Sequence, residues 1–338
     1  MELGMVDLKD KRVLVTGGAG FIGSHIVDLL TEEGCIEIVA LDNMVRGRPE
    51  NLVHAMAHGP VRLVDGDIRD HDLMASLVES SDIIFHQAAL RITHCAAKPR
   101  LAMQVMVQST FDLLELCVAH EVEKVIAASS ASVYGMADEF PTTEAHHPYN
   151  NRTFYGAAKA FNEGLLRTFN DMNALDYVAF RYFNVYGARM DIHGRYTEVM
   201  IRWMERLEAG QAPIIFGDGR QTMDFVHVRD VARANILGAK ANIDDEVFNI
   251  ASGVETSLLQ LAQALARAMG REGIDLEFAP ERSVNPVPRR LASTAKAERL
   301  LGFRTTIPLE EGLRELVDWW RAERRHLLEP AELRATVS

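Results

Sequence analysis

Short apolar runs alternate with amphipathic stretches through the first half of the chain. The runs are Arg12-Val-Leu-Val-Thr16, Ile36-Glu-Ile-Val-Ala-Leu41, Val61-Arg-Leu-Val64, Ile83-Ile-Phe85, Val125-Ile-Ala-Ala128 and Tyr177-Val-Ala-Phe180. Most are continuous and rich in β-branched residues, as strands buried on both faces are. Helical periodicity fills the intervals, including two long stretches near 98–120 and 153–172. Repeated βαβ order predicts an α/β fold with a doubly wound parallel sheet. After Gly187 the pattern changes. Helix-like segments near 195–209, 256–269 and 309–324 are joined by loops carrying Pro213, Pro280, Pro286, Pro288 and Pro308. Phe225-Val-His-Val228 and Val247-Phe-Asn-Ile250 still read as strands. The expected organisation is a dinucleotide-binding domain over 1–185, with 224–254 returning to it. Residues 186–223 and 255–330 form a smaller C-terminal substrate lobe.

Composition narrows the partners. The chain has 338 residues, with 36 basic against 48 acidic, a net charge of −12. That balance argues against nucleic acid or an anionic membrane as partner, since both require a basic face. It leaves room for an anionic small molecule in a local positive pocket. Cys35, Cys95 and Cys117 have no metal-ligand spacing and read as buried free thiols of a reducing compartment. No metal is expected. No stretch comes near a membrane span, and a cytoplasmic location is expected.

The first strand runs directly into Thr16-Gly-Gly-Ala-Gly-Phe-Ile-Gly23. Gly17 allows the tight turn, Gly20 lets a pyrophosphate approach the backbone, and Gly23 lets helix pack on strand. The following helix N-terminus then faces the phosphates. Strand, turn and helix in that order mark a Rossmann-like dinucleotide site. Asp42 closes the second strand, where a carboxylate binds both ribose hydroxyls and repels a 2′-phosphate, favouring NAD over NADP. Arg46 and Arg48 follow closely and pull the other way. Asp67 and Ile68 either meet the adenine or form a solvated acidic turn. Ala88 and Ala89 either leave room for the cofactor or simply pack.

Tyr155 and Lys159 stand four apart in Tyr155-Gly-Ala-Ala-Lys159, inside a helix predicted from Thr153 to Phe169. That step puts both side chains on one face. An ammonium beside a phenol stabilises the phenolate, so the tyrosine pKa is expected to fall toward neutrality, where it can take a proton from an alcohol. Ser130 closes the fifth strand at its C-terminal end, where ligands bind in open α/β sheets.

With these motifs in order, the chain resembles the extended short-chain dehydrogenase/reductase family, specifically nucleotide-sugar epimerases of the UDP-galactose 4-epimerase type. The residues that carry the resemblance are Gly17-X-X-Gly20-X-X-Gly23, Asp65-Gly-Asp67, His86-Gln-Ala-Ala89, Ser130-Ala-Ser-Val-Tyr134-Gly135, Tyr155-X-X-X-Lys159, Arg181-Tyr-Phe-Asn184-Val-Tyr-Gly187 and Gly217-Asp-Gly-Arg-Gln-Thr-Met-Asp-Phe225. The resemblance implies NAD as tightly held cofactor and a UDP-sugar or related nucleotide-sugar as substrate. It makes Tyr155 base and then acid, Ser130 a hydrogen-bond partner of the reacting hydroxyl, and Lys159 a ligand of the nicotinamide ribose. It also places Phe21, Ile22, Asn43 and Tyr182 along the cofactor. Asn184 and Arg282 would meet the diphosphate. Phe216 would either stack on the uracil or serve as a core aromatic. A homodimer through the two long helices is the family expectation.

Departures from the family pattern sharpen the reaction. Related 4,6-dehydratases carry an Asp-Glu pair where this chain has Ala131-Ser132, and UDP-glucuronate decarboxylases carry Glu at the Ser132 position. An epimerase needs neither acid, so a 4-epimerase is the expected activity. A 4-ketosugar reductase or a decarboxylase is the alternative, and a non-catalytic NAD sensor is a third reading. Met223 stands where the family has a diphosphate-binding arginine, with Arg220 as the candidate substitute. Met106 replaces a family asparagine. Arg289-Arg290 falls near the position that limits sugar size, and either reads a substrate carboxylate or forms a solvated basic turn.

Overall fold

The structure is a computed structural model that describes residues 6–192, 198–280 and 287–328. Its first half repeats strand and helix. The elements are β1 (Arg12–Thr16), α1 (Phe21–Glu32), β2 (Glu37–Asp42), α2 (Val53–His58), β3 (Val61–Asp65), α3 (His71–Glu79) and β4 (Ile83–His86). Helices α4 (Ile92–Ala97), α5 (Pro99–Ala102) and α6 (Ser109–Ala119) follow, with a π-helical segment, Met103–Gln108, linking the last two. Then come β5 (Lys124–Ser130), α7 (Phe154–Asn173) and β6 (Asp176–Tyr182). The second half contains β7 (Asn184–Tyr186), α8 (Val199–Glu208), β8 (Ile214–Phe216), β9 (Thr222–His227), α9 (Val228–Lys240) and β10 (Glu246–Ile250). It ends with β11 (Glu255–Ser257), α10 (Leu258–Ala268), β12 (Glu277–Ala279), α11 (Ala295–Leu301) and α12 (Leu309–Leu328).

All six apolar runs of the first half become strands of one seven-stranded parallel sheet, ordered β10-β6-β5-β4-β1-β2-β3. The order reverses between β1 and β4, which opens a crevice at their C-terminal ends. One face of the sheet packs Val13, Val15, Ile38 and Phe180 against Ile26 and Leu30 of α1 and Val231 and Ile236 of α9. The other packs Leu14, Val39, Ile84 and Val125 against Met74 of α3, Leu113 of α6 and Leu166 of α7. A third cluster joins Trp203 of α8, Leu261 and Leu265 of α10, and Leu316 and Trp320 of α12, giving the lobe its own core.

Of the two later runs expected to return to the sheet, only one does. β10 pairs with β6 through Glu246↔Val178 to Ile250↔Tyr182. Phe225 instead lies in β9, which joins β7 and β11 in a separate three-stranded sheet. The reason is local. β10 already occupies the β6 edge, and Asp224 on β9 is fully buried, accepting from Ser252 N, Ser252 Oγ and the Gly253 and Ala292 amides. That carboxylate ties β9 to loops of the lobe, which supply the donors a buried charge requires. The membrane expectation also needs one amendment. The helix Pro99–Ala119 is long and apolar enough to span a bilayer by length and composition, with half of its most apolar window buried inside the fold, as in the core helix of a globular domain.

Candidate active site and cofactor crevice

The C-terminal strand ends bring the chemistry together. Thr16 lies beside both Leu41 and His86, and Ser130 beside Tyr182, in the parallel register. Helix α7 starts where Thr153 Oγ1 accepts the Gly156 amide at 3.1 Å, a side-chain cap that fixes its first turn. Tyr155 and Lys159 therefore project from the first two turns of α7 toward the end of β5. Ser130 hydrogen-bonds the Tyr155 hydroxyl, and its Oγ also accepts the Ser132 amide at 3.1 Å.

The electrostatics depart from the sequence expectation. Burial pushes the Tyr155 phenol up to about 12, opposed by the Ser130 hydrogen bond and by the charges of Arg290 and Arg46. Lys159 is not among the largest influences on it. Its Nζ is turned to the strand and donates to the Ala128 carbonyl at 2.5 Å, and burial pulls the ammonium down to about 8. Spacing correctly placed the pair on one face, yet desolvation outweighs the attraction of a cation whose proton is aimed elsewhere.

The glycine loop is built from close backbone approaches. A Cβ on Gly23 would sit 2.2 Å from the Gly17 carbonyl oxygen, and one on Gly17, whose φ is +69°, would sit 2.9 Å from the Ala88 amide. α1 begins after Gly20 with no side-chain cap. The amides of Phe21, Ile22 and Gly23 open the helix and have no intrahelical acceptor, which suits a pyrophosphate. The side chains of Phe21 and Ile22 are engaged elsewhere, Phe21 against the lobe core and Ile22 against the sheet core. Asp42, 8% exposed, accepts the Ala19 amide at 3.2 Å and the Met44 amide at 3.0 Å. Arg46 and Arg48, which could have greeted a 2′-phosphate, are paired with Asp191 at 3.2 Å and Glu323 at 3.3 Å. A helix N-terminus without a cap beside a buried carboxylate fits NAD: the amides would hold its pyrophosphate and Asp42 its ribose hydroxyls.

Other predicted positions vary. Asn43 Nδ2 donates to Asp67 at 3.0 Å, and Asp67 also forms a two-pronged pair with Arg69, which holds its carboxyl far below the usual range. Ile68 is buried, while Ala88 and Ala89 lie just past β4, Ala88 half-buried and Ala89 exposed. The Tyr182 hydroxyl lies 3.0 Å from both Gln87 Oε1 and Asn235 Oδ1.

The substrate side is less assembled. Asn184 heads β7 with its Nδ2 buried and without a partner among the described residues. Phe216, half-buried, ends β8. Arg220 lies on the surface, its side chain 84% exposed and 3.9 Å from Asp218. Arg282 lies outside the described residues. Arg289 and Arg290 divide: Arg289 grips Glu255 at 2.7 and 2.9 Å, whereas Arg290 turns inward, donates to the Ala131 carbonyl at 2.6 Å and acts on Tyr155. Met223 packs at the lobe core. Met106 is buried in the π-helical segment, where its sulfur accepts the Leu90 amide at 3.2 Å and its carbonyl accepts Asn162 Nδ2 at 2.7 Å.

Sequence reasoning missed the group behind Lys159. Glu163, one more helical turn along α7, accepts from Ser129 Oγ at 2.5 Å and from Arg181 at 2.9 and 2.6 Å, and Arg181 in turn reaches the Tyr134 hydroxyl at 2.9 Å. The signal was present as a second step of four on the same face. His86 enters the sequence pattern only as part of a motif; its ring lies 2.9 Å from Thr16 Oγ1 and 3.1 Å from Thr110 Oγ1, and burial pulls its pKa down to about 3.

Comparison with known proteins fits this geometry. Residues 13–251 match the model of the NAD dependent epimerase/dehydratase family. A UDP-glucose 4-epimerase of Mycolicibacterium smegmatis is 37% identical over 92% of this chain and 98% of its own length. The crystal structure of a UDP-glucose 4-epimerase from Thermotoga maritima with UDP-glucose is 34% identical, with a TM-score of 0.86 over 93% of this chain and 99% of that one. The Thermus thermophilus UDP-glucose 4-epimerase complex with NAD is 32% identical, with a TM-score of 0.81 over 92% and 99%. With its glycine crevice, its Ser130–Tyr155 contact and a match across well over half its length, this chain belongs to the NAD-dependent epimerase/dehydratase family.

Proposed function

We propose that this chain is a nucleotide-sugar 4-epimerase acting on a UDP-hexose or UDP-hexuronate. The observation that carries the reading is the Ser130–Tyr155 hydrogen bond at the end of β5, with Arg290 and Arg46 as charges that lower the phenol and Ala131-Ser132 at the positions where related dehydratases and decarboxylases carry acids. A dehydratase or decarboxylase needs an acid there; an epimerase needs only to move one proton off and onto one hydroxyl. Bound NAD supplies the hydride acceptor and donor of such a reaction and a positive ring near the site. Ser130 holds the C4 hydroxyl, Tyr155 removes its proton and later returns it, and Lys159 holds the ribose. With its pKa near 12 in the chain alone, Tyr155 keeps its proton at neutral pH, so the added positive charge is what readies it as a base.

On the substrate side, Asn184 offers its unpartnered buried amide to the diphosphate and Phe216 an aromatic face to the base. Arg282 and Arg220 are the further candidate diphosphate ligands. Arg290 favours a hexuronate: it is the inward guanidinium beside the reacting phenol, and it donates to a neutral group, the Ala131 carbonyl. A homodimer is proposed from the exposed Met103, Phe161 and Met172 on the long helices. Three buried free thiols support a cytoplasmic location.

Incubation with UDP-glucose, UDP-N-acetylglucosamine and UDP-glucuronate in turn, followed by NMR, should show the 4-epimer of at least one. Tyr155→Phe should lose turnover by about 10²–10⁴-fold and keep its NAD. No change at C4 with any substrate would overturn the proposal, and stoichiometric consumption of NADH would mark a reductase.

A further inference from the structure

The loop between Gly135 and Thr153 carries a cluster that the epimerase chemistry does not use. Asp138, His146 and His147 each present one ligating atom, and the three atoms lie within 4.8 Å of one another. The His146 ring is almost fully enclosed, 2% exposed, and stands edge-on to Tyr134 at 5.7 Å. Its Nδ1 lies 2.8 Å from the His147 carbonyl, which can only accept, so Nδ1 donates there and the neutral form of the ring has its lone pair at Nε2, to which the Asp138 amide also points from 3.4 Å. Facing that lone pair at 2.8 Å is Asp138 Oδ1, another acceptor. Two acceptors at hydrogen-bond distance require a cation between them, either a proton or a metal ion. A third group lies within reach of the same place. His147 Nε2 is 4.0 Å from Asp138 Oδ2, so a single ion can meet all three groups.

We propose that Asp138, His146 and His147 form a binding site for a divalent, zinc-class ion. Two imidazoles and a carboxylate suit such an ion and not the all-oxygen preference of magnesium or calcium. A backbone carbonyl that fixes the far nitrogen of His146 is the outer-shell partner metal-bound histidines usually have. Tetrahedral ligands at zinc distances stand about 3.4 Å apart, so the 2.8 Å pair opens slightly and the His147 ring swings inward. Binding through His147 Nε2 moves its proton to Nδ1 and releases the Tyr149 amide now 3.3 Å away, which is exposed and turns to water. A water completes the shell.

The ion would clip the two arms of the loop that separates Ser130 from Tyr155. That loop is otherwise closed by the Met136 and Asn150 exchange at 3.2 Å and by Asn151 Nδ2 on the Ser132 carbonyl at 2.9 Å, next to the cap of α7. The site is structural and stands outside the proton-transfer chemistry, so its test is independent of the substrate.

The full-length protein, stripped with a chelator and dialysed, is titrated with Zn²⁺ by calorimetry and melted with and without the ion. The expected result is one saturable site per chain and a rise in Tm of about 2–4 °C. Both should be weakened by about tenfold or more in His147→Ala and Asp138→Asn, two positions exposed enough to fold normally. The doubly substituted His54→Ala/His58→Ala, which removes an exposed histidine pair on α2 with ring nitrogens 3.2 Å apart, should leave both intact. Absence of a saturable site in the wild type would overturn the proposal and leave a histidine–carboxylate ion pair. So would equal binding by His147→Ala and Asp138→Asn, or loss of the site in the His54/His58 variant.

Discussion

In the cofactor half, the groups poised for a ligand are backbone amides locked between β1 and α1, with one buried carboxylate behind them. On the substrate side, from β7 onward, they are side chains on strands of three residues and on loops: Asn184, Phe216, Arg220 and Arg290. The first arrangement tolerates almost no change of shape, because its contacts are backbone against backbone. The second is held by ion pairs and single hydrogen bonds that a ligand can exchange for its own. One half is therefore expected to bind as it stands, and the other to adjust around what it binds.

Gly23→Ala tests the first half most severely. The new Cβ would meet the Gly17 carbonyl oxygen at 2.2 Å and its carbon at 2.9 Å, both backbone atoms of the loop itself. Relief requires α1 to back away from the turn, and α1 is packed into the sheet core through Ile26, Val27 and Leu30. We expect a loss of about 1–3 kcal/mol in urea unfolding and of measurable NAD binding by fluorescence titration. A variant that keeps full NAD affinity would show the crevice to be far more adaptable than its contacts allow.

The same contrast governs what could be read from sequence. The sheet was legible because buried strands leave uninterrupted apolar runs, and the crevice because glycine at 17, 20 and 23 answers a steric demand visible in residue type alone. Asp42 was legible by its place at a strand end. In the lobe, β7, β8, β11 and β12 are each three residues long, too short for a periodic signal. The two neighbouring arginines were indistinguishable in sequence; only the fold shows Arg289 spent on Glu255 and Arg290 turned to Tyr155. The Tyr155–Lys159 step gave correct geometry and the wrong electrostatics, since spacing reports which face two groups share and says nothing about how much water reaches them.

Acid should separate the halves next. Burial pulls His25 and His86 down to about 3 and His227 to about 4, from an ordinary 6.5. Below pH 6.5 the unfolded chain takes up protons that the folded chain refuses until pH 3–4, so stability falls as pH falls through that window. Each histidine contributes up to about 1.4 kcal/mol per pH unit there. His86 sits under the cofactor crevice, and His25 joins α1 to the Ala188 carbonyl at 3.1 Å, so the cofactor half carries more of this liability than the lobe. Urea midpoints at pH 7, 6 and 5 should drop steadily in the wild type and less steeply in His86→Asn. Parallel slopes would mean that His86 titrates freely.

Arg290→Ala probes the lobe where it touches the chemistry. If the guanidinium reads a carboxylate, kcat/KM for UDP-glucuronate should fall about 10–100-fold, the cost of one or two charge-assisted hydrogen bonds, while UDP-glucose suffers less. Equal losses on both substrates would assign Arg290 to tuning Tyr155 instead, since its charge also lowers that phenol.

The smallest expected effect is the most informative about adjustment. Arg220 is 84% exposed, with a loose 3.9 Å contact to Asp218 on its own turn. If the lobe binds a diphosphate in the conformation described, Arg220→Ala should change KM by less than about threefold, the range of ordinary surface substitutions. A tenfold or larger rise in KM at unchanged kcat would mean that the turn after β8 swings onto the ligand and delivers the arginine that the Met223 position lacks. The phosphate grip would then be assembled on binding in the lobe while it stands preformed at α1. NAD affinity measured on the same variant should stay constant in either case, because no described contact of Arg220 reaches the glycine loop.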